Sequence, residues 1–237
     1  MSFDFVKGEV LLVDKEVGWT SFDVVKSIRG SLQKTHQLKR FKVGHAGTLD
    51  PLATGLLLIC TGKATKTIDS LQAQEKIYTG SIILGATTPS FDKETEEDKH
   101  FPIDHINEDL IRAAASSFEG EIDQTPPLYS AIRINGKRAY EYARKQEEVA
   151  IKSRKVHIFY FKITTIEMPR VFFEVKCSKG TYIRSLARDF GHALNSGAYL
   201  GGLRRTHIGN FSVDNALKVS VIKELIHSQE PPLNSTK

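Results

Sequence analysis

Gly44-His45-Ala46-Gly47-Thr48-Leu49-Asp50-Pro51-Leu52-Ala53-Thr54-Gly55 places a histidine, an aspartate and three glycines in one short stretch, and Leu56-Leu57-Leu58-Ile59-Cys60 follows directly. The apolar run reads as a buried strand. A glycine-rich loop beside a core strand lets backbone approach a ligand closely, and it holds any functional side chain on a rigid support. Asp50, before Pro51, is the candidate for that side chain. An isolated Asp-Pro pair is ordinarily a turn initiator, so the weight given to Asp50 comes from the segments that accompany it.

Outward from this loop, Glu9 to Asp14 reads as a strand, and Ser21 to Leu32 as a helix with Phe22, Val25 and Ile28 on one side. Tyr78 to Leu84 is another strand, ended by Gly85, and Thr87 to Ile103 is an acidic loop. Asn107 is a good N-cap, with Glu108 and Asp109 in the first turn of the helix that follows. Lys155 to Ile166 and Arg170 to Cys177 form an expected antiparallel pair. In the second, Val171, Phe173, Val175 and Cys177 alternate with Phe172, Glu174, Lys176 and Ser178. A helix starting at Tyr182 groups Ile183, Leu186, Ala187, Phe190 and Leu194 on one face, with Arg184 and Arg188 on its flank. Helices and strands mix without βαβ regularity, which predicts an α+β fold around a central, largely antiparallel sheet flanked by helices and loops.

The chain has 237 residues, and 33 basic against 28 acidic residues give a net charge of +5. That excess permits nucleic-acid binding without requiring it. The distribution is more telling: Lys34, Lys39, Arg40 and Lys42 crowd the approach to the glycine loop. Arg133, Lys137, Arg138, Arg144, Lys145, Lys152, Arg154 and Lys155 fill a second stretch. Charge runs are usually solvated faces, but two flanking a candidate site favour a polyanionic substrate. Cys60 and Cys177 are the only cysteines, so a reducing compartment and no disulfide are expected. The N-terminus lacks a signal core and no run reaches membrane-span length, so a soluble, cytoplasmic protein is expected.

GHAGTLDPLATGLLLICTGKATK (44–66) resembles the catalytic segment of the TruB family of tRNA pseudouridine synthases. Further matching segments follow in the family's order. They are Asp14-Lys15 with Gly18-Trp19-Thr20-Ser21-Phe22, then Lys76-Ile77-Tyr78, then Gln124-Thr125-Pro126-Pro127-Leu128-Tyr129-Ser130-Ala131 with Gly136 and Tyr140 to Arg144. Cys177 to Asp189 (CSKGTYIRSLARD) and Leu203-Arg204-Arg205-Thr206 complete the set, and the match runs from about Val10 to about Leu217. The chain departs from the family at Glu16, usually proline, and at Arg133, usually lysine. The resemblance implies one catalytic domain over 1–227, with an inserted RNA-binding arm at about 124–153 and a flexible tail over 228–237. It implies no C-terminal PUA domain, because the chain stops about twenty residues after the last matched segment.

The resemblance also implies chemistry. Uridine becomes pseudouridine when the N1–C1′ bond breaks, the base turns and C5 bonds to C1′, a redox-neutral change that needs no cofactor and no metal. The sequence agrees: Gly55 to Lys63 lacks phosphate-loop spacing, Ala64 stands where Ser or Thr would bind magnesium, and HExxH, Cys/His zinc spacing and GxSxG are absent. By resemblance Asp50 is the nucleophile, attacking C1′ of the sugar or C6 of the base. Arg184 is the guanidinium that keeps it ionised, and Tyr78 stacks on the flipped uracil and assists proton removal at C5. Leu203 is the aliphatic wall of the pocket, Tyr182 and Asp92 are further pocket positions, and His45 is the wedge that takes the flipped base's place. Lys15, Lys39, Arg40, Lys42, Arg133, Lys137 and Arg144 are expected RNA contacts. The implied partner is the T-arm of tRNA, modified at position 55, with no membrane and no obligate protein partner. A synthase acting on another RNA, and an RNA-binding tRNA-folding chaperone, remain the alternatives.

Overall fold

Alternation and capping predict most of the elements in a computed structural model of the chain, which describes residues 3–130, 132–134, 136–145, 147 and 149–229. In order, these are β1 (Val10–Lys15), α1 (Ser21–Thr35), β2 (Val43–Ala46), β3 (Thr54–Thr61), α2 (Ile68–Ala73), β4 (Lys76–Leu84), β5 (Ala86–Thr87) and β6 (Lys99–His100). Next come α3 (Glu108–Ser116), β7 (Gly120–Gln124), β8 (Arg133–Ile134), β9 (Lys137–Arg138) and α4 (Ala139–Arg144). The order closes with β10 (Arg154–Glu167), β11 (Arg170–Cys177), α5 (Ile183–Ala193), β12 (Ala198–Ile208), β13 (Phe211–Ser212) and α6 (Val219–His227). The fold is α+β, as expected. The chain divides into two compact units, one of residues 1–76 with 204–237 and one of residues 77–203.

In the first unit β3 pairs antiparallel with β1 and with β2, and parallel with the Arg204-Arg205 part of β12. Leu56 to Cys60 are wholly buried because both faces of β3 are covered. Leu57 and Ile59 pack with Val24, Val25, Ile28 and Leu32 of α1 and Val219, Ile222 and Ile226 of α6. Leu56, Leu58 and Cys60 pack with Leu71, Ile208 and Val213. A strand covered on both faces has no polar positions to alternate, hence its unbroken apolar run. Helix α1 starts at Thr20 in a capping box: the Asp23 amide donates to Thr20 Oγ1 and the Thr20 amide to Asp23 Oδ2. The expected grouping of Phe22 with Val25 and Ile28 is corrected here. The buried stripe is Val24, Val25, Ile28 and Leu32, and Phe22 is 61% exposed. At about 100° per residue, Phe22 stands roughly 100° from Ser21, which lies on the buried stripe.

In the second unit the order is β12, β4, β11, β10, β7, with β12 contributing its Ala198–Leu203 portion. β10 and β11 form the predicted antiparallel hairpin, and β7 pairs antiparallel on the far side of β10. One face is sealed by Phe161, whose ring lies 6.4 Å from Phe118, 5.6 Å from Phe173 and 5.5 Å from Phe190, all edge-on. Asn107 caps α3 by accepting the Leu110 amide, as read from sequence. The segment 87–103 is not only loop, since β5 and β6 pair within it. Gln124 closes β7 and is fully buried. Past it, β8 and β9 form a short hairpin leading into α4. Ser228 and Gln229 close α6, with Gln229 Nε2 donating to Phe3 O. The remainder of the expected tail lies outside the described residues. No described helix is long and apolar enough to cross a membrane.

Candidate functional site

The loop carrying Asp50 is held by its own backbone oxygens. Arg205 Nη2 donates to Gly47 O at 3.0 Å and Nη1 to Thr48 O at 3.4 Å. Ser21 Oγ donates to Leu49 O at 3.1 Å and accepts the Leu49 amide at 2.8 Å. Asp50 O accepts the Ala53 amide, and Pro51 O accepts the Gly18 amide at 2.8 Å and Lys15 Nζ at 3.4 Å. Every carbonyl from Gly47 to Pro51 therefore has a donor, and the loop has no slack to move its carboxylate. Arg205 and Lys15, the two cations in this cradle, are both buried. Arg205 also gives Nε to Leu56 O, tying the loop to β3. Gly55 is required here: a Cβ would lie 2.3 Å from Arg205 O, and its φ is +99°.

Lys15, expected to touch RNA, is a correction. It is fully buried, and its ammonium also donates to Glu16 O and to Trp19 O at 2.7 Å. It ends β1 pointing inward, because burial alternates along that strand and Lys15 shares the buried side with Leu11 and Val13. Burial pulls its pKa from 10.5 to about 8, with Asp50 opposing, Arg205 adding and Asp23 opposing. Between about pH 8 and 10.5 the unfolded chain holds this proton and the folded chain releases it. The group's contribution to stability therefore rises with pH across that window. Urea unfolding of wild type and Lys15→Met at pH 7.5 and about 10 is expected to show wild type gaining relative to the variant as pH rises.

His45 stands on β2 opposite Ile59, half-buried, with Nδ1 enclosed and without a hydrogen-bond partner among the described residues. Burial first, and then Arg205, holds its pKa below the usual 6.5, so the imidazole is neutral at physiological pH. Lys39, Arg40 and Lys42 are exposed between α1 and β2. Asp14 takes a bidentate pair from Arg204, both bonds 2.9 Å.

In the second unit the structure brings Asp92 and Arg184 together, both buried, with Arg184 Nε 3.5 Å from Asp92 Oδ2. The other carboxylate oxygen accepts Ser90 Oγ at 2.7 Å and the Glu94 amide at 2.9 Å. Arg184 Nη1 donates to Ser90 O. The tight turn places Phe91 at φ +62°, and Arg188 lies 4.8 Å over that ring. Within the acidic segment 87–103, the turn folds Asp92 inward. Tyr182 caps α5; its amide donates to Gln124 Oε1 at 2.7 Å, Gln124 Nε2 donates to Tyr182 O, and Arg154 lies 4.8 Å over its ring. Tyr78 is buried on β4, and Leu203 is half-buried on β12. Arg133 and Lys137 are exposed on the β8–β9 hairpin, whereas the Arg144 side chain lies outside the described residues. Sequence reasoning missed the roles of Ser21, Ser90, Gln124 and Arg205. Ser21, Gln124 and Arg205 stood inside the matched segments, which was the only available signal. No group of three or more potential metal ligands occurs among the described residues.

The profile described as "TruB family pseudouridylate synthase (N terminal domain)" matches residues 34–183. A tRNA pseudouridine synthase B of Flavobacterium johnsoniae is 55% identical over 222 residues, 93% of this chain and 97% of the relative. One of Chloroherpeton thalassium is 53% identical over 220 residues, 92% of this chain and 90% of the relative. Among solved structures, a chain of a Cbf5-Nop10-Gar1 complex aligns at TM-score 0.71 and 32% identity, covering 93% of this chain and 54% of that one. A chain of an H/ACA RNP bound to a substrate RNA containing 2′-deoxyuridine aligns at 0.67 and 29%, covering 93% and 53%. The protein spans about half the length of those solved chains. The chain belongs to the TruB family of pseudouridylate synthases, and so to the isomerases.

Proposed function

We propose that the protein converts the T-loop uridine at position 55 of tRNA to pseudouridine, with Asp50 as nucleophile. The observation that carries this reading is that every backbone carbonyl from Gly47 to Pro51 has a donor, which holds the loop that presents the Asp50 carboxylate. Preorganisation of that kind serves a group that must meet a single atom of a bound substrate. Attack at C1′ displaces N1 from the sugar, whereas attack at C6 adds the carboxylate to the base before the N1–C1′ bond breaks. Either route frees the base to turn, and the carboxylate leaves again as pseudouridine forms. Re-bonding through C5 then expels the C5 hydrogen, with Tyr78 packing on the uracil and assisting that proton's departure. On this reading Arg184 favours the ionised form of Asp50, and Asp92 orients Arg184. Tyr182 and Leu203 line the pocket. The neutral ring of His45 fills the gap left by the flipped base, where a charged imidazole would be costly to desolvate. The reaction is redox-neutral and draws on no cofactor.

Lys39, Arg40 and Lys42 with Arg133, Lys137 and Arg144 supply phosphate contacts. Replacing Lys137 with Ala is expected to weaken tRNA binding across sequences and to lower the slope of log affinity against log salt by about 0.7–0.9. An unchanged slope in filter binding would remove that residue from the interface. The proposal as a whole is tested by tritium release from tRNA transcript labelled at C5 of uridine, without added cofactor, followed by mapping of the modified position. Release mapped to another position, or release only from a different RNA, would replace the substrate assignment. Binding with no release would leave the chaperone reading.

A further inference from the structure

The β10–β11 hairpin has a second face. Val156, Ile158, Phe161 and Ile163 of β10 and Val171, Phe173, Val175 and Cys177 of β11 are buried on the first. The alternate positions carry His157, Phe159, Tyr160, Lys162, Phe172, Glu174 and Lys176, and Tyr160 is directly opposite Lys176 and Lys162 opposite Glu174. The pairing register slips between Ile158 and Tyr160, so Phe159 is an inserted residue. That bulge is pinned from His157: its amide donates to Ser178 Oγ at 2.9 Å, and the Ser178 amide donates to His157 O at 2.8 Å. Bulges re-aim side chains, and this one turns a phenyl ring outward, 40% exposed.

The ring does not stand alone. His157 lies 4.7 Å from it, tilted by 58°, and Lys176 Nζ lies 5.0 Å from its centroid. Lys162 Nζ lies 4.7 Å over the Tyr160 ring, and Tyr160 Oη donates to Glu174 Oε1. Lys179 is exposed in the turn that follows β11. Glu174 is engaged by Tyr160, and Glu121 by Lys155. Outward aromatics interleaved with ammonium groups on a sheet are the composition that binds single-stranded nucleic acid: rings take bases and cations take phosphates. A protein partner would call for a contiguous apolar patch, and here each ring is bordered by charge.

We infer that this face binds unpaired nucleotides of RNA, one base stacking on Phe159 with phosphates beside Lys162 and Lys179. This does not depend on the assignment of Asp50 or of position 55. The test is fluorescence anisotropy of labelled decauridylate with the full chain, in the presence of saturating unlabelled T-arm hairpin to occupy the substrate-binding surfaces. Wild type is expected to bind. Phe159→Ala is expected to weaken binding about tenfold, Phe159→Trp to stay within about twofold, and Lys162→Ala to lower the salt slope by about 0.7. Tritium release from tRNA by Phe159→Ala at the wild-type rate would show that its fold is intact. No binding by wild type under hairpin competition overturns the inference. So does equal affinity for Phe159→Ala, or an equal loss for Phe159→Trp.

Discussion

Asp50→Asn is expected to drop tritium release by at least about four orders of magnitude while leaving tRNA affinity within a few-fold of wild type. The substitution keeps the shape of the side chain and removes its negative charge and nucleophilicity. Losing a reacting group typically costs on that scale. Affinity should survive because the loop is held through backbone oxygens. Arg205, Ser21, the Gly18 amide and the Ala53 amide all bind carbonyls that the substitution leaves in place. Circular dichroism and filter binding on the same preparation separate the two effects. Loss of binding together with activity would move Asp50 from chemistry to scaffold. Residual release within a hundredfold of wild type would remove it from the nucleophile's role.

Asp92→Ala should be the most damaging change in the second unit, by about 3 kcal/mol in urea unfolding. The carboxylate accepts from Ser90 Oγ and the Glu94 amide through one oxygen and faces Arg184 through the other, in a site where both side chains are buried. Truncation leaves those donors without this acceptor in a place water does not reach, and it withdraws a negative charge from a buried guanidinium. Asp92→Asn should recover part of the loss, since an amide oxygen can still accept from Ser90 and Glu94 while the ion pair is gone. If Asp92→Ala unfolds within about 0.5 kcal/mol of wild type, the pair is not a structural element. If stability falls as expected but single-turnover release in the remaining folded protein is unchanged, Asp92 has no part in orienting the catalytic groups.

Much of this fold is legible in the sequence. Leu56 to Cys60 announced a buried strand, the alternation from Val171 to Cys177 announced its face, and Asn107 announced the start of α3. These signals are local: neighbours in the chain decide them, and a period of two or a cap residue carries the information. The stripe of α1 was less legible because Phe22 lies one step around the helix from its companions, and hydrophobicity alone does not say where the core begins. β12 escaped notice because Gly201-Gly202 and Arg204-Arg205 interrupt the pattern by which strands are found.

By itself, the sequence determined which family's order of motifs the chain follows. It also determined the α+β class, through patterns written within a few residues of one another. Only the tertiary structure decided what the charged residues do. Lys15 looked like a phosphate contact and is an interior brace, Asp92 stood in an acidic segment and is clamped against Arg184, and Arg205 holds Gly47 from 158 positions away. A charge reads the same in sequence whether it will meet water, a carbonyl or an opposite charge. Its partner is chosen by the folding of distant segments, and burial then makes that choice energetically decisive.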